Sequence, residues 1–388
     1  MNKKYCSECV MPDTSETLTF DKKNVCSVCN QIDFKDKIDW DERNNQLDIL
    51  IKKYKGKNNY DCIVPFSGGK DSTFALWYLV KIKKLKPLVV RFDHNFLRST
   101  VIENTEKTIS QLGVDFYNYK PNFDIVKKVM LESLIRRADF CWHCHTGISS
   151  LPIRVGIEKK IPLIFYGEPA AEYNSFYDYS EPEELDEEKF NKVVNLGINA
   201  EDMLGMLKER YPDEQITEND LRPYLFPSKR ELIKNNIKAS YLGNYLKWDV
   251  KEQVKIIKKE LGWKGEIVEG IPQEYDYEKI ECIMQGSRDF IKFLKRGFGR
   301  TAHLTSIDIR NNRMSRDKAI DLTKMYDGKK PKSLEILLKI LKISEDQFYD
   351  IVTKHVVHPH QTMSKEEFKN SSSNIFPKDF EEWKSKFK

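Results

Sequence analysis

The sequence predicts an α/β protein built on a doubly wound parallel sheet, and two observations carry that expectation. Short apolar runs, Cys62-Ile63-Val64-Pro65-Phe66, Pro87 to Asp93 and Pro162 to Gly167, alternate with longer stretches of helical spacing. A glycine-containing turn, Ser67-Gly68-Gly69-Lys70-Asp71-Ser72, joins the first run to the helical residues behind it. Strands that alternate with helices need crossover connections, so neighbouring strands run parallel and ligands gather at their carboxyl ends.

The elements follow in order. Residues 1 to about 40 are polar and cysteine-rich, with Pro12, Asp13 and Thr14 breaking any helix, and read as a small ligand-stapled module. A charged helix is expected over about Trp40 to Lys55. The first strand and its turn lead into a helix at Thr73 to Lys83, and the second strand into one at about Val101 to Leu112. Asp115 to Tyr119 follows, then a helix ending near Arg137, a helix beginning near Thr146 and the strand at Pro162. Between Tyr173 and about Tyr241 the alternation stops, and the acidic stretch Ser180 to Glu188 introduces a segment without clear strands, read as an insertion or lid at about 175–240. Helices resume from Tyr277 to His355, with a polar loop between Arg296 and Ser315, and the tail beyond Pro359 reads as peripheral. The expected layout is a zinc-binding module of four cysteines at 1–40, a nucleotide-binding domain at 41–270 and a mostly helical region at 271–388 that meets substrate or partner.

The 388 residues, 40% of them hydrophobic, suffice for a substantial core. Lys+Arg 65 against Asp+Glu 60 gives a net charge of +5, with both signs interleaved, so no basic face points to nucleic acid. No stretch approaches the ~18 consecutive apolar residues of a membrane span. The chain reads as cytoplasmic and free of membrane, where its eight cysteines are thiols or metal ligands rather than disulfides.

The Ser67 to Ser72 turn places backbone N–H groups, a helix start, hydroxyls and an ammonium around one concavity, which is an anion site. Walker A geometry requires Ser or Thr after the lysine, and here Asp71 follows Lys70. The turn instead resembles the PP-loop, Ser-Gly-Gly-x-Asp-Ser, at every fixed position. That resemblance implies an adenine nucleotide α-hydrolase-like fold that splits ATP to AMP and pyrophosphate through an adenylated intermediate. It assigns nucleotide contacts to Ser67, Gly68, Gly69, Lys70, Asp71 and Ser72, catalysis to the last three, and adenosine binding to Phe92 and Asp93. Gly167-Glu168-Pro169-Ala170-Ala171-Glu172 is similar to an asparagine synthetase element that helps place Mg²⁺-pyrophosphate. Glu172 would be the metal-side carboxylate and Glu168 its support, although Pro169 and Ala171 depart from that element.

Cys6-x2-Cys9 and Cys26-x2-Cys29 have the spacing of two zinc knuckles that fill all four positions of a tetrahedron, so the implied Zn²⁺ is structural. A pair of disulfides and an iron–sulfur centre are the alternatives. Cys141-Trp142-His143-Cys144-His145 is a second close pair. Some PP-loop enzymes that thiolate tRNA use such a pair with a third cysteine to hold an iron–sulfur cluster. The spare cysteines are Cys62, in an expected buried strand, and Cys282, so a site-lining or packing role is expected for the pair.

The N-terminal Tyr-Cys-x-x-Cys-Val-Met-Pro-Asp-Thr, the PP-loop, Phe-Cys-Trp-His-Cys, Gly297-Phe298-Gly299-Arg300 and Ile307-Asp308-Ile309-Arg310 together resemble the N-acetyl sugar amidotransferases of surface-polysaccharide and flagellin-glycan synthesis, over roughly residues 1 to 360. The resemblance implies conversion of an acetamido group on a nucleotide-activated sugar to an acetamidino group. An amide oxygen leaves poorly, so ATP must first adenylate it before ammonia displaces AMP. Position 2 is Asn rather than a nucleophilic Cys, and no Gly-x-Cys-x-Gly occurs. Ammonia is therefore expected from a separate glutaminase subunit, and the resemblance implies a cyclase-like companion for it. Arg300, Thr301, His303 and Arg310 are the expected substrate contacts, with a solvated helix as the plain alternative and His303 more suited to structure than to base catalysis. A PP-loop tRNA-modifying enzyme, thiolase or lysidine-type, is the competing reading.

Overall fold

The computed structural model describes residues 3–172, 178–180, 182–373, 375 and 377–387. Asn2, and residues 175–177 and 181 of the expected insertion, lie outside the described residues.

Five strands form one parallel sheet: β1 (Cys62–Pro65), β2 (Pro87–Phe92), β3 (Asp115–Tyr119), β4 (Leu163–Tyr166) and β5 (Lys238–Tyr241), in the order β3-β2-β1-β4-β5. Cys62 pairs with Pro87 and Ile63 with Ile164, so β1 is central, and the order reverses beside it. Such a switch point opens a crevice at the strands' carboxyl ends. The turn that leaves β1 lies there.

Alternating β1 residues face opposite layers, as the period of two requires. Cys62 and Val64 join a core with Phe74, Leu76, Val254 and Ile257, whereas Ile63 packs with Trp142, Leu151, Phe190 and Tyr224. The second layer shows that the 175–240 region is part of the domain. Leu185, Ile198, Met203 and Leu207 are buried, and the Trp142 indole N–H donates to Asn195 O at 3.0 Å and Ile198 O at 2.9 Å. The region is the β4 to β5 crossover, covers one sheet face and ends in a strand that the sequence reading missed.

Three further expectations are corrected. The helix after the PP-loop begins at Lys70 rather than Thr73, running Lys70–Trp77 before a wider turn at Tyr78–Ile82. The expected polar loop between Arg296 and Ser315 contains the helix Arg300–Arg310, most of it buried because its polar groups find partners. The tail beyond Pro359 is integral: Phe368, Phe380 and Trp383 enter a core with Phe96, Met130 and Leu294, and Asp379 accepts two hydrogen bonds from the buried Arg98 guanidinium at 2.8 Å.

Candidate active site

Gly68, at φ +86°, lets the chain turn sharply out of β1, and its carbonyl accepts from the Trp263 indole N–H at 3.0 Å. Ser72 Oγ stands 3.2 Å from Ser67 N and from Ser67 Oγ, and Gly69 N donates to Ser67 Oγ at 3.2 Å, which closes the loop on itself. A carboxylate fills the concavity. Ser67 Oγ donates to Glu281 Oε1 at 3.2 Å, and a Cβ added at Gly69 would lie 1.8 Å from the same oxygen. Glu281 therefore sits where an anionic ligand of this turn would approach.

Lys70 is buried, with Nζ 2.7 Å from Asp71 Oδ2 and 2.9 Å from Glu278 Oε2. Burial opposes its charge, but Asp71, Glu278 and Glu168 hold its pKa well above the ordinary lysine value. Burial likewise opposes ionisation of Glu278, and Lys70, Lys279 and Arg300 overcome it, keeping that carboxyl well below the usual range. Asp71 Oδ1 is buried with no hydrogen-bond partner. Glu168 stands close enough that burial and the Asp71 charge push its pKa up to about 8. A lone buried acceptor beside a second carboxylate has the donor chemistry of a hard divalent cation, so Asp71 and Glu168 fit Mg²⁺. Glu172 is otherwise engaged: it pairs with Lys35 at 2.5 Å and accepts from Tyr179 Oη.

Beyond Lys70 opens a cavity of about 850 Å³, walled by Lys70, Glu168, Arg288, Lys292, Arg300 and His303 among others. Arg300 pairs with Asp289 at 3.1 Å and with Glu278 at 3.5 Å. Asp327 accepts from Gly299 N, Thr301 N and Ala302 N at 2.8, 3.0 and 3.2 Å, which fixes the start of this helix. Thr301 itself is turned away, its hydroxyl donating to Gly270 O. Burial and then Arg300 hold His303 well below the ordinary histidine pKa, so it is neutral. Arg310 faces a smaller cleft with Lys35, Glu172 and Tyr179. Phe92 packs in the core against Tyr119 and Tyr224, and Asp93 Oδ1 accepts from Asn95 N.

The sequence reading missed Glu278 and Glu281, which reach the loop from over 200 positions away. It also missed Arg288, Lys292 and Arg296. Their fourfold spacing on the helix Gln285–Arg296 was a readable signal, since such residues share one face, and all three line the cavity. Lys292 is pushed down to about 7 by burial and by Arg300.

Behind the cavity, Cys6, Cys9, Cys26 and Cys29 bring their sulfurs within 4.8 Å of one another, with Sγ···Sγ distances of 3.9 Å for Cys6–Cys29 and 3.8 Å for Cys9–Cys26. All are free thiols, and this spacing suits four thiolates about 2.3 Å from one tetrahedral ion. The module packs on Phe298, Ala302 and Ala319, and Arg316 donates to Cys9 O and Cys6 O. It thereby braces the helix that carries Arg300. Cys141, Cys144 and Cys282 form a second group within electrostatic reach of one another, whereas Cys62 is buried in β1.

No helix among the described residues is long and apolar enough to cross a membrane. Residues 269–387 match the family described as LPS biosynthesis protein WbpG-like, C-terminal domain. An uncharacterized protein of Methanocaldococcus jannaschii, MJ1599, is 32% identical over 112 residues; the match spans 28% of this chain and 40% of that relative's length. Among solved structures, the U34-tRNA thiolase NcsA from Methanococcus maripaludis with its 4Fe-4S cluster aligns over 92% of this chain and 90% of its own, at 14% identity and a TM-score of 0.25, too low to equate the two backbones. Residues 269–387 are thus similar to a WbpG-like C-terminal domain, and they follow a parallel α/β sheet whose central strand ends in the Ser67 to Ser72 turn.

Proposed function

We propose that this chain is the synthetase subunit of an ATP-dependent amidotransferase that converts an acetamido group of a nucleotide-activated sugar to acetamidino, releasing AMP and pyrophosphate. The observation that carries the reading is Lys70, which belongs to the anion-binding turn and also lines the large cavity, so a nucleotide and a second substrate meet at one ammonium. The WbpG-like domain, named for lipopolysaccharide biosynthesis, supplies most of that cavity's basic wall.

Each residue then has a task. The amides and hydroxyls of Ser67 to Ser72 bind phosphate oxygens, and Lys70 neutralises their charge where it grows. Asp71 and Glu168 would hold Mg²⁺, which supplies charge neutralisation for the departing pyrophosphate. Arg288, Lys292 and Arg300 face the cavity as donors to the acceptor's phosphates, and neutral His303 adds a ring without competing charge. Phe92 backs the sheet rather than touching adenosine, and Arg310 serves the neighbouring cleft. Zn²⁺ in the Cys6, Cys9, Cys26 and Cys29 site holds the Arg300 helix in place. Ammonia comes from a partner glutaminase, and the reaction runs in the cytoplasm, where ATP and nucleotide-sugars are made.

The test is incubation with ATP, Mg²⁺, ammonium and a panel of acetamido nucleotide-sugars. The expected result is acetamido-dependent AMP release, with a product lighter by the difference between oxygen and NH. A tRNA-modifying enzyme would share the ATP chemistry, and the Cys141 and Cys144 pair, flanked in sequence by the cavity-lining Asp139 and His145, is the observation in its favour. AMP release that depends on tRNA and ignores every sugar would replace the first reading with the second.

A further inference from the structure

The N-terminal module reaches past its four cysteines to the cavity itself. Met11, Ser15, Glu16 and Thr17 line the cavity beside Arg296, and Thr14 is buried between them. The contacts fall on the corner between the two helices that carry the basic wall. Thr14 Oγ1 donates to Arg296 O at 2.6 Å and Lys3 Nζ to Gly297 O at 2.9 Å, at the end of the helix Gln285–Arg296, where carbonyls lack helical partners. The next residue, Phe298, shares a buried cluster with Cys6, Cys9, Val10 and Met11, and Gly299 then starts the helix Arg300–Arg310. The module therefore fixes the corner from which both basic stripes extend.

The same loop decides which cations the cavity presents. Arg296 Nε donates to Glu16 Oε2 at 2.6 Å, so this carboxylate withholds one guanidinium from any ligand. Asp289 is taken by Arg300 at 3.1 Å. Lys292 lies with its Nζ 4.3 Å from the centre of the Phe298 ring. Burial and then Arg300, with Arg288 and Arg296 beside it, lower the Lys292 pKa to about 7 against the opposing charge of Asp289, and His303 is its titratable neighbour on the next helix. The ring that covers this amine is seated on the cysteine module, so the order of the module reaches Lys292 through one side chain.

We propose that the N-terminal module is part of the binding site for a phosphate-bearing ligand in the cavity, its metal-ordered loop Met11 to Thr17 forming one wall and Glu16 setting the wall's attraction for that ligand by withholding Arg296. Glu16 acts through Arg296 and is a positioning residue. Releasing that guanidinium adds a charged donor to Arg288, Lys292 and Arg300, whereas disordering the module removes the corner that holds them. The inference rests on the part of the amidotransferase reading that places ligand phosphates at this wall, and not on the reaction that follows.

Pyridoxal 5′-phosphate, an aldehyde that carries a phosphate, reports on anion affinity and on a neutral amine together, and borohydride fixes its imine for mapping by mass spectrometry. The full chain loaded with Zn²⁺ is expected to label at Lys292 near neutral pH, and inorganic pyrophosphate should protect it. Cys6→Ser, or the chain stripped by a chelator, should lose the burial that Phe298 gives the amine. Its pKa then rises toward the ordinary lysine value and labelling falls by about tenfold or more, while the exposed Lys255 labels as before. Glu16→Gln, which leaves the cysteines intact, should instead raise Lys292 labelling by about two- to fivefold, the scale of one screened charge, and Glu16→Asp should stay near the parent. Equal Lys292 labelling with and without metal, no rise in Glu16→Gln, no protection by pyrophosphate, or an unlabelled Lys292 in the loaded chain would each overturn the inference. These measurements need no turnover, so a failed AMP assay would leave it standing.

Discussion

Glu281→Ala should tighten ATP binding, because in the unliganded chain the Glu281 carboxylate occupies the anion cradle. Its Oε1 accepts from Ser67 Oγ at 3.2 Å and lies 1.8 Å from where a Gly69 Cβ would be, so phosphate oxygens and this carboxylate compete for one volume. A hydrogen bond to a charged group contributes about 1.5–3 kcal/mol when buried. Ser67 and Glu281 are both only partly buried, which brings the cost of displacement to about 0.7–1.4 kcal/mol after screening. That corresponds to an ATP Kd lower by about three- to tenfold in the alanine variant. Titration calorimetry with ATP and Mg²⁺ measures it directly, and Glu281→Gln, which keeps an acceptor but loses the charge, should fall between. Unchanged or weaker ATP binding in a Glu281→Ala chain of normal Tm would refute the competition argument and make Glu281 a ligand of the nucleotide complex instead.

Lys70→Ala should cut AMP formation by about 10²–10³-fold, the usual scale for losing one preorganised donor, and single-turnover assays would show it. Because Glu278 keeps Arg300, the variant should remain folded. Glu168 has its pKa raised from 4.5 to about 8, so in the free chain it is protonated at neutral pH; its contribution to stability is present below 4.5 and is lost as pH rises through 8. Mg²⁺ affinity should move oppositely, rising through pH 8, and Glu168→Gln should flatten that profile in a metal titration. Chelation of the Cys6, Cys9, Cys26 and Cys29 site should lower Tm and expose the Arg300–Arg310 helix to hydrogen exchange, since the module packs on Phe298 and Ala302. Asp379→Ala removes two charge-assisted hydrogen bonds from Arg98, which is 1% exposed, and leaves Ile267 O at 2.8 Å and Glu266 at 3.9 Å, so it should cost about 1.5–3 kcal/mol in chemical denaturation.

Much of the sheet was legible because β1, β2 and β4 are apolar on both faces and the Ser67 to Ser72 turn punctuates the first of them. β5 escaped because Lys238-Ala239-Ser240-Tyr241 is four residues of mixed polarity whose strand character comes from pairing with β4. Arg300 to Arg310 read as a loop for a related reason. Its polar side chains look solvated until Asp289 and Glu278 are seen to pair with Arg300, Gly270 O to accept from Thr301, Thr301 O from Thr305, and Lys251 and Tyr275 to hold Asp308. The carboxylate order at the loop was also unreadable. Glu172 looks like the free one by position, but Lys35 and Tyr179 hold it, and Glu168 is the one beside Asp71. Long-range partners of this kind leave no local pattern. The Arg288, Lys292, Arg296 stripe did leave one, and helical periodicity alone would have found it.

The alternating charges Asp71, Lys70, Glu278, Arg300 and Asp289 run unbroken from the phosphate turn to the far wall of the cavity. When a nucleotide draws on Lys70, Glu278 loses part of its counter-charge and leans more heavily on Arg300, so a second ligand in the cavity would meet a differently poised guanidinium. Ligands at the two ends of this run are then thermodynamically linked through it. By reciprocity, whatever factor a nucleotide at the turn imposes on the affinity of a second ligand in the cavity, that ligand imposes on the nucleotide.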